Sequence, residues 1–145
     1  MRTLDSLIWD TADVAAGEVV LVCNDPTLDL TRTALAAGAK VVFLDSDYSR
    51  CQEAASLGAE IAGDMRIDDY LAGSSGTAVA IGEMPKSLAR LDYLARSIAG
   101  AGFASARVVF GANNKHLSRG MNVVLGESFD QVAASRGRGK FRCLV

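Results

Sequence analysis

The sequence predicts an α/β chain: an open, mostly parallel sheet with helices on both faces and an antiparallel hairpin at its C-terminal end. Three observations predict it. Short, wholly apolar runs such as Val19-Val20-Leu21-Val22-Cys23 and Val41-Val42-Phe43-Leu44 read as strands buried on both faces, the pattern of a parallel sheet. Amphipathic helical stretches alternate with these runs, and such alternation argues a doubly wound sheet. Glycines punctuate the repeat, with Gly38, Gly58 and Gly100 each following a helical stretch. The chain has 145 residues, the size of one domain, and 50% of them are hydrophobic, enough for a sizeable core.

Taken in order, Leu4 to Ala15 reads as a leading helix with Leu4, Leu7, Ile8 and Val14 as its apolar positions. Glu18 to Cys23 is the first strand. Asp25 is placed to cap the next helix, Pro26 suits its first turn, and that helix runs to about Ala37. Lys40 to Leu44 is the second strand, followed by a helix from Ser49 to Leu57. Glu60 to Ala62 is a short third strand, and Ile67 to Leu71 one helical turn. Gly73-Ser74-Ser75-Gly76 reads as a turn, because a strand follows at once from Thr77 to Ile81.

Glu83-Met84-Pro85-Lys86 then opens the clearest helix, with Pro85 in its first turn and Lys86 beginning it. Leu88, Leu91, Leu94, Ala95 and Ile98 form its apolar stripe, and Asp92 and Arg96 make an i,i+4 pair of the favourable polarity. Ala106 to Phe110 is the fifth strand, and Ser118 to Leu125 a helix that Gly126 ends. Val132 to Ser135 and Phe141 to Val145 flank Arg136-Gly137-Arg138-Gly139-Lys140, which reads as a hairpin turn. The whole is Rossmann-like.

What the first strand leads into is informative. A nucleotide-binding sheet of this kind has a glycine loop there, because the backbone must approach the cofactor closely. Here the strand runs into Asn24-Asp25-Pro26-Thr27-Leu28-Asp29, with no glycine between Gly17 and Gly38. Asp25 and Asp29 stand where a cofactor needs room and donors. The expectation is a pseudo-active site, with no catalytic and no cofactor-binding residue. Asp45, at the end of the second strand, holds the place of a ribose-binding acid, but acids at strand ends also simply face water.

Charge is uneven. Residues 1–114 hold nine Lys/Arg and fifteen Asp/Glu (9 − 15 = −6), whereas residues 115–145 hold six and two (6 − 2 = +4). Such asymmetry suits contact with a polyanion as well as a solvated basic edge. Gly111-Ala112-Asn113-Asn114-Lys115-His116 is a polar loop at the carboxyl edge of the sheet, able to contact phosphate or bases. The candidate RNA contacts are Lys115, His116, Arg119, Arg136, Arg138 and Lys140. With only Phe141 among them, backbone contact is the natural mode rather than base stacking.

Cys23, Cys51 and Cys143 are widely spaced, with no C-x-x-C pair, and Cys23 and Cys143 sit in apolar runs, so buried thiols are expected rather than ligands. His116 is the single histidine, so no metal site is expected. Met1-Arg2-Thr3-Leu4-Asp5 lacks the apolar core of a signal peptide, and no apolar run approaches the roughly 20 residues of a membrane span. A cytoplasmic protein without membrane contact is the expectation.

Several runs together carry a family resemblance. Val19-Val20-Leu21-Val22-Cys23-Asn24-Asp25, Met84-Pro85-Lys86-Ser87-Leu88-Ala89-Arg90-Leu91, Met121-Asn122-Val123-Val124-Leu125-Gly126 and Ala133-Ala134-Ser135-Arg136-Gly137 resemble, in order and spacing, the N-terminal domain of the ribosomal RNA guanine-N2 methyltransferases of the small-subunit and large-subunit type. The resemblance covers about Leu4 to Val145. It implies a methyltransferase fold with sheet order 3-2-1-4-5-7-6, strand seven antiparallel. It implies that residues 1–145 are one cofactor-less domain, the N-terminal half of a two-domain enzyme. S-adenosylmethionine and catalysis then belong to a following domain in the same polypeptide, with ribosomal RNA as the partner. The chain departs from catalytic domains of this kind in having no Asp-x-Gly-x-Gly loop and no Asn-Pro-Pro-aromatic segment, for which Glu83-Met84-Pro85-Lys86 stands instead. The leading function is non-catalytic RNA recognition and scaffolding. Alternatives are a free-standing Rossmann enzyme that binds a small-molecule or nucleotide cofactor, and a dimerisation module that forms a dimer when isolated.

Overall fold

The structure is a computed structural model that describes residues 1–45, 47–62, 66–129, 131, 132, 135 and, for the backbone, 141–144. Its elements are α1 (Thr3–Ala12), β1 (Val19–Asn24), α2 (Asp29–Ala36), β2 (Lys40–Phe43), α3 (Tyr48–Leu57), β3 (Glu60–Ile61), α4 (Ile67–Leu71), β4 (Thr77–Glu83), α5 (Leu88–Ala99), β5 (Ser105–Asn113), a 3-10 turn (Asn114–His116), α6 (Arg119–Ser128) and β6 (Phe141–Leu144). The sheet order is β3-β2-β1-β4-β5-β6. The first five strands are parallel and β6 runs antiparallel to β5, with Phe141 opposite Asn113 and Leu144 opposite Phe110.

The period of two along each strand splits the core into two layers. Leu21, Cys23, Val42, Ala78, Ala80, Val108 and Phe110 face α4, α5 and α6. Their neighbours Val20, Val22, Val41, Phe43, Val79, Ile81 and Val109 face α1, α2 and α3. Both faces are covered, which is why the strands are apolar throughout. The α5 stripe is buried at Leu91, Leu94, Ala95 and Ile98, and Asp92 pairs with Arg96 at 3.0 Å. Gly58 ends α3 with φ 106°, a conformation that favours glycine.

Several boundaries differ from the sequence reading. The helix after β1 starts at Asp29 rather than at Pro26, because residues 25–28 first form a turn in which Leu28 N–H donates to Asp25 O. β4 continues through Glu83, and α5 starts at Leu88 with Ser87 Oγ accepting from Arg90 N–H, so Pro85 and Lys86 form a connector instead of a first turn. Leu88, at the helix start, is 43% exposed and lies outside the buried stripe. Gly126 sits inside α6, which runs on to Ser128. Val132 and Ser135 are not in a strand, and the turn at 136–140 lies outside the described residues. Among the described residues no helix is long and apolar enough to cross a membrane.

Candidate functional site

The sheet order reverses direction between β1 and β4: the chain builds outward through β2 and β3, then returns to place β4 beside β1. In open α/β sheets ligands bind in the crevice at such a switch point, beyond the carboxyl ends of the strands. Here the chain's own groups narrow the crevice. At the register shift near Asn24, Gly82 brings β4 against β1; a Cβ on Gly82 would lie 2.8 Å from Asn24 N. Asn24 Nδ2 donates to Glu83 O at 3.2 Å and ties the two strand ends together. Arg2, just ahead of α1, ties that helix to the end of β4, with Nε and Nη2 donating to Asp5 at 2.9 and 3.0 Å and Nη2 reaching Glu83 Oε2 at 3.3 Å.

The start of α2 is occupied as well. Asp25 is fully buried, and its carboxylate accepts from Thr31 N–H and Thr31 Oγ1–H, both at 2.8 Å, and from Leu30 N–H at 3.4 Å. It does the work of an N-cap from four residues upstream, because the 25–28 turn folds its side chain over the helix end. Leu28 adopts φ 62° in that turn and is buried among the α1–α2–β1 residues. A bulky residue there stores backbone strain of order 1–3 kcal/mol, which its burial offsets. Burial pushes the Asp25 carboxyl above its ordinary value, against the Thr31 and Leu30 hydrogen bonds, and the nearby Asp5 charge adds to the rise. Asp29, the second carboxylate of this segment, turns to Arg32 at 3.5 Å instead.

The ribose-acid position is likewise satisfied internally. Arg50 Nη1 donates to Asp45 Oδ2 at 2.7 Å, and Asp45 Oδ1 accepts from Asp47 N–H. What is left of the crevice is a cleft of about 260 Å3 lined by Cys23, Asn24, Asp45, Arg50, Ser87 and Arg90, among others. Cofactor and small-molecule sites usually span roughly 300–1,000 Å3. Burial pushes the Cys23 thiol up to about 12, so it is no nucleophile at neutral pH.

A second concavity, of about 360 Å3, lies between the ends of β4 and β5 and is lined by Glu83 to Lys86, Ala112, Asn113, His116 and Met121. Asn113 caps the 3-10 turn through Oδ1, which accepts from Lys115 N–H. Lys115, His116 and Arg119 are exposed beside it, on the turn and the first residue of α6. Three of the six predicted RNA contacts are therefore neighbours at the carboxyl edge. Arg136, Arg138 and Lys140 lie outside the described residues. Among the described residues no cluster of three or more His, Cys, Asp or Glu is placed to hold a metal ion.

No protein-family model matches the sequence, and no curated protein matches it significantly. Solved structures do match. One is the T. thermophilus 16S rRNA N2 methyltransferase RsmC in complex with AdoMet and guanosine, at TM-score 0.65 and 13% identity; the match covers 99% of this chain and 38% of that one. Another is a TehB-like SAM-dependent methyltransferase from Corynebacterium glutamicum, at TM-score 0.68 and 13% identity, covering 99% and 86%. The chain has a methyltransferase-like fold. It spans well under half the length of RsmC.

Within this methyltransferase-like frame the sequence reading did not single out Arg50, Arg90 or Arg2 as site residues. Arg90 lies in the first turn of α5, where a side chain reaches the carboxyl edge, three residues after the Ser87 cap. Arg50 stands five residues after Asp45, across a turn, and Arg2 is remote in sequence from Glu83, so no local pattern reveals either pairing.

Proposed function

We propose that this chain is a non-catalytic RNA-recognition and scaffolding domain of an S-adenosylmethionine-dependent rRNA (guanine-N2) methyltransferase. The observation that carries this reading is the internal pairing of the groups around the switch-point crevice. Asp25 takes the free amides of α2, Asn24 bonds the end of β4, and Arg50 neutralises Asp45. Each of these groups faces a partner inside the chain, where a methyl donor needs open backbone and unpaired acceptors. The likeness in fold to RsmC supports the assignment to an rRNA enzyme, and a cofactor-binding domain in the same polypeptide completes it.

The competing reading is a free-standing enzyme, favoured by the 86% of the TehB-like methyltransferase that the chain covers. Labelled-methyl transfer to ribosomal RNA separates the two. The 145-residue chain alone should transfer no methyl group above background, and transfer should occur when a cofactor-binding domain follows in the same polypeptide. Transfer by the short chain at a rate matching the longer one overturns the scaffold reading.

A further inference from the structure

Most described Lys and Arg side chains face a carboxylate, from Arg50–Asp45 at 2.7 Å to Lys40–Glu60 at 3.8 Å. Four face none among the described residues: Lys86, Arg90, Lys115 and Arg119. These four share one place. Lys86 lies in the β4–α5 connector and Arg90 in the first turn of α5; Lys115 lies in the 3-10 turn after β5 and Arg119 starts α6. Since β4 pairs with β5, both helix starts meet at the same sheet edge. A paired cation is cancelled locally, whereas unpaired ones of one sign set the field around them.

The carboxylates at this edge offset that field only in part: Asp45 is matched to Arg50, while Arg2 is shared between Asp5 and Glu83 and leaves one net negative charge against the four cations. Lys86, Lys115 and Arg119 are exposed. Arg90 is half-buried, with its guanidinium 5.8 Å over the Tyr93 ring, and it is one of the residues lining the 260 Å3 cleft, beside the Asp45–Arg50 pair and Ser87. Between the two helix starts lies the 360 Å3 concavity. The charges thus flank a hollow, a form that follows a strand of phosphates.

We propose that this edge is a phosphate-binding track for single-stranded RNA, with Lys86, Arg90, Lys115 and Arg119 as its cations and Arg90 holding a phosphate at the mouth of the cleft. The proposal rests on the RNA-recognition reading and extends it to two cations that the C-terminal charge excess does not contain.

The test uses the 145-residue chain and a short labelled single-stranded RNA, with anisotropy followed across a salt series. Each lost phosphate contact lowers the slope of log affinity against log salt by about 0.7 on single strands. Replacing all four cations by Gln should lower it by roughly 2–3. The double variant Lys86→Gln/Lys115→Gln, at two exposed positions that leave the core untouched, should lower it by roughly 1.4. A matched variant at paired cations elsewhere, Arg32→Gln/Lys40→Gln/Arg66→Gln/Arg96→Gln, should leave it unchanged. An equal loss in the matched variant overturns the track. So does a slope removed entirely by Arg136→Gln/Arg138→Gln/Lys140→Gln and untouched by the edge variants, although RNA recognition then stands. Wild-type chain that binds no RNA at the lowest salt removes the RNA reading itself. Displacement by poly-glutamate as efficient, charge for charge, as by RNA overturns RNA as the occupant.

Discussion

The Asp25 carboxylate satisfies two amides and a hydroxyl at the start of α2 while fully buried, so it is a structural cap. Removing it leaves those donors unpaired in a dry site, a loss of about 1–3 kcal/mol. Asp25→Ala should lower unfolding stability by that amount in denaturant titration at neutral pH, and an unchanged midpoint would show that water replaces the carboxylate. The capping role was legible: a carboxylate just ahead of a helical stretch suggests a cap, and the Asp25 carboxylate does accept from the first amides of α2. The geometry was not. The sequence suggests a cap adjacent to its helix, whereas the 25–28 turn, with Leu28 at φ 62°, carries Asp25 to the helix end from four residues away.

At the scale of elements, the buried cores of the parallel strands were read closely because burial on both faces leaves uninterrupted apolar runs, whereas the polar ends of β4 and β5 were missed and the strand expected at Val132 to Ser135 is not one at either of those residues. Helix starts were read less well. Pro85 suits a first turn, but Ser87 wins the cap by accepting from Arg90 N–H, and β4 extends because Gly111 O accepts from Met84 N–H. Gly126 does not end α6, since a helix tolerates one glycine where packing at Leu125 holds it. Contacts between remote elements leave no local trace. One is the Glu18–Arg107 pair at 2.7 Å, which pins the α1–β1 loop to β5. The Arg107 hydrogen bond holds the Glu18 carboxyl below its ordinary value, against desolvation. A lowered folded value means stability present above the unfolded glutamate value and lost as pH falls through the folded one. The advantage of wild type over Glu18→Gln should therefore be constant near neutrality and shrink in acid, as thermal melts across pH would record. An advantage that grows in acid would contradict the pairing.

For the whole molecule, fold and function separate. Order β3-β2-β1-β4-β5-β6 and two apolar layers give a methyltransferase-like frame, and the likeness at 13% identity shows that frame alone. Function has to be argued from the switch point and from the cations at the β4–β5 edge that face no carboxylate among the described residues. The scaffold reading proposed above leaves no place for a methyl donor in this chain, which titration calorimetry of the 145-residue chain with S-adenosylmethionine checks. No saturable heat is expected; a dissociation constant in the low micromolar range, about −8 kcal/mol, overturns the scaffold reading.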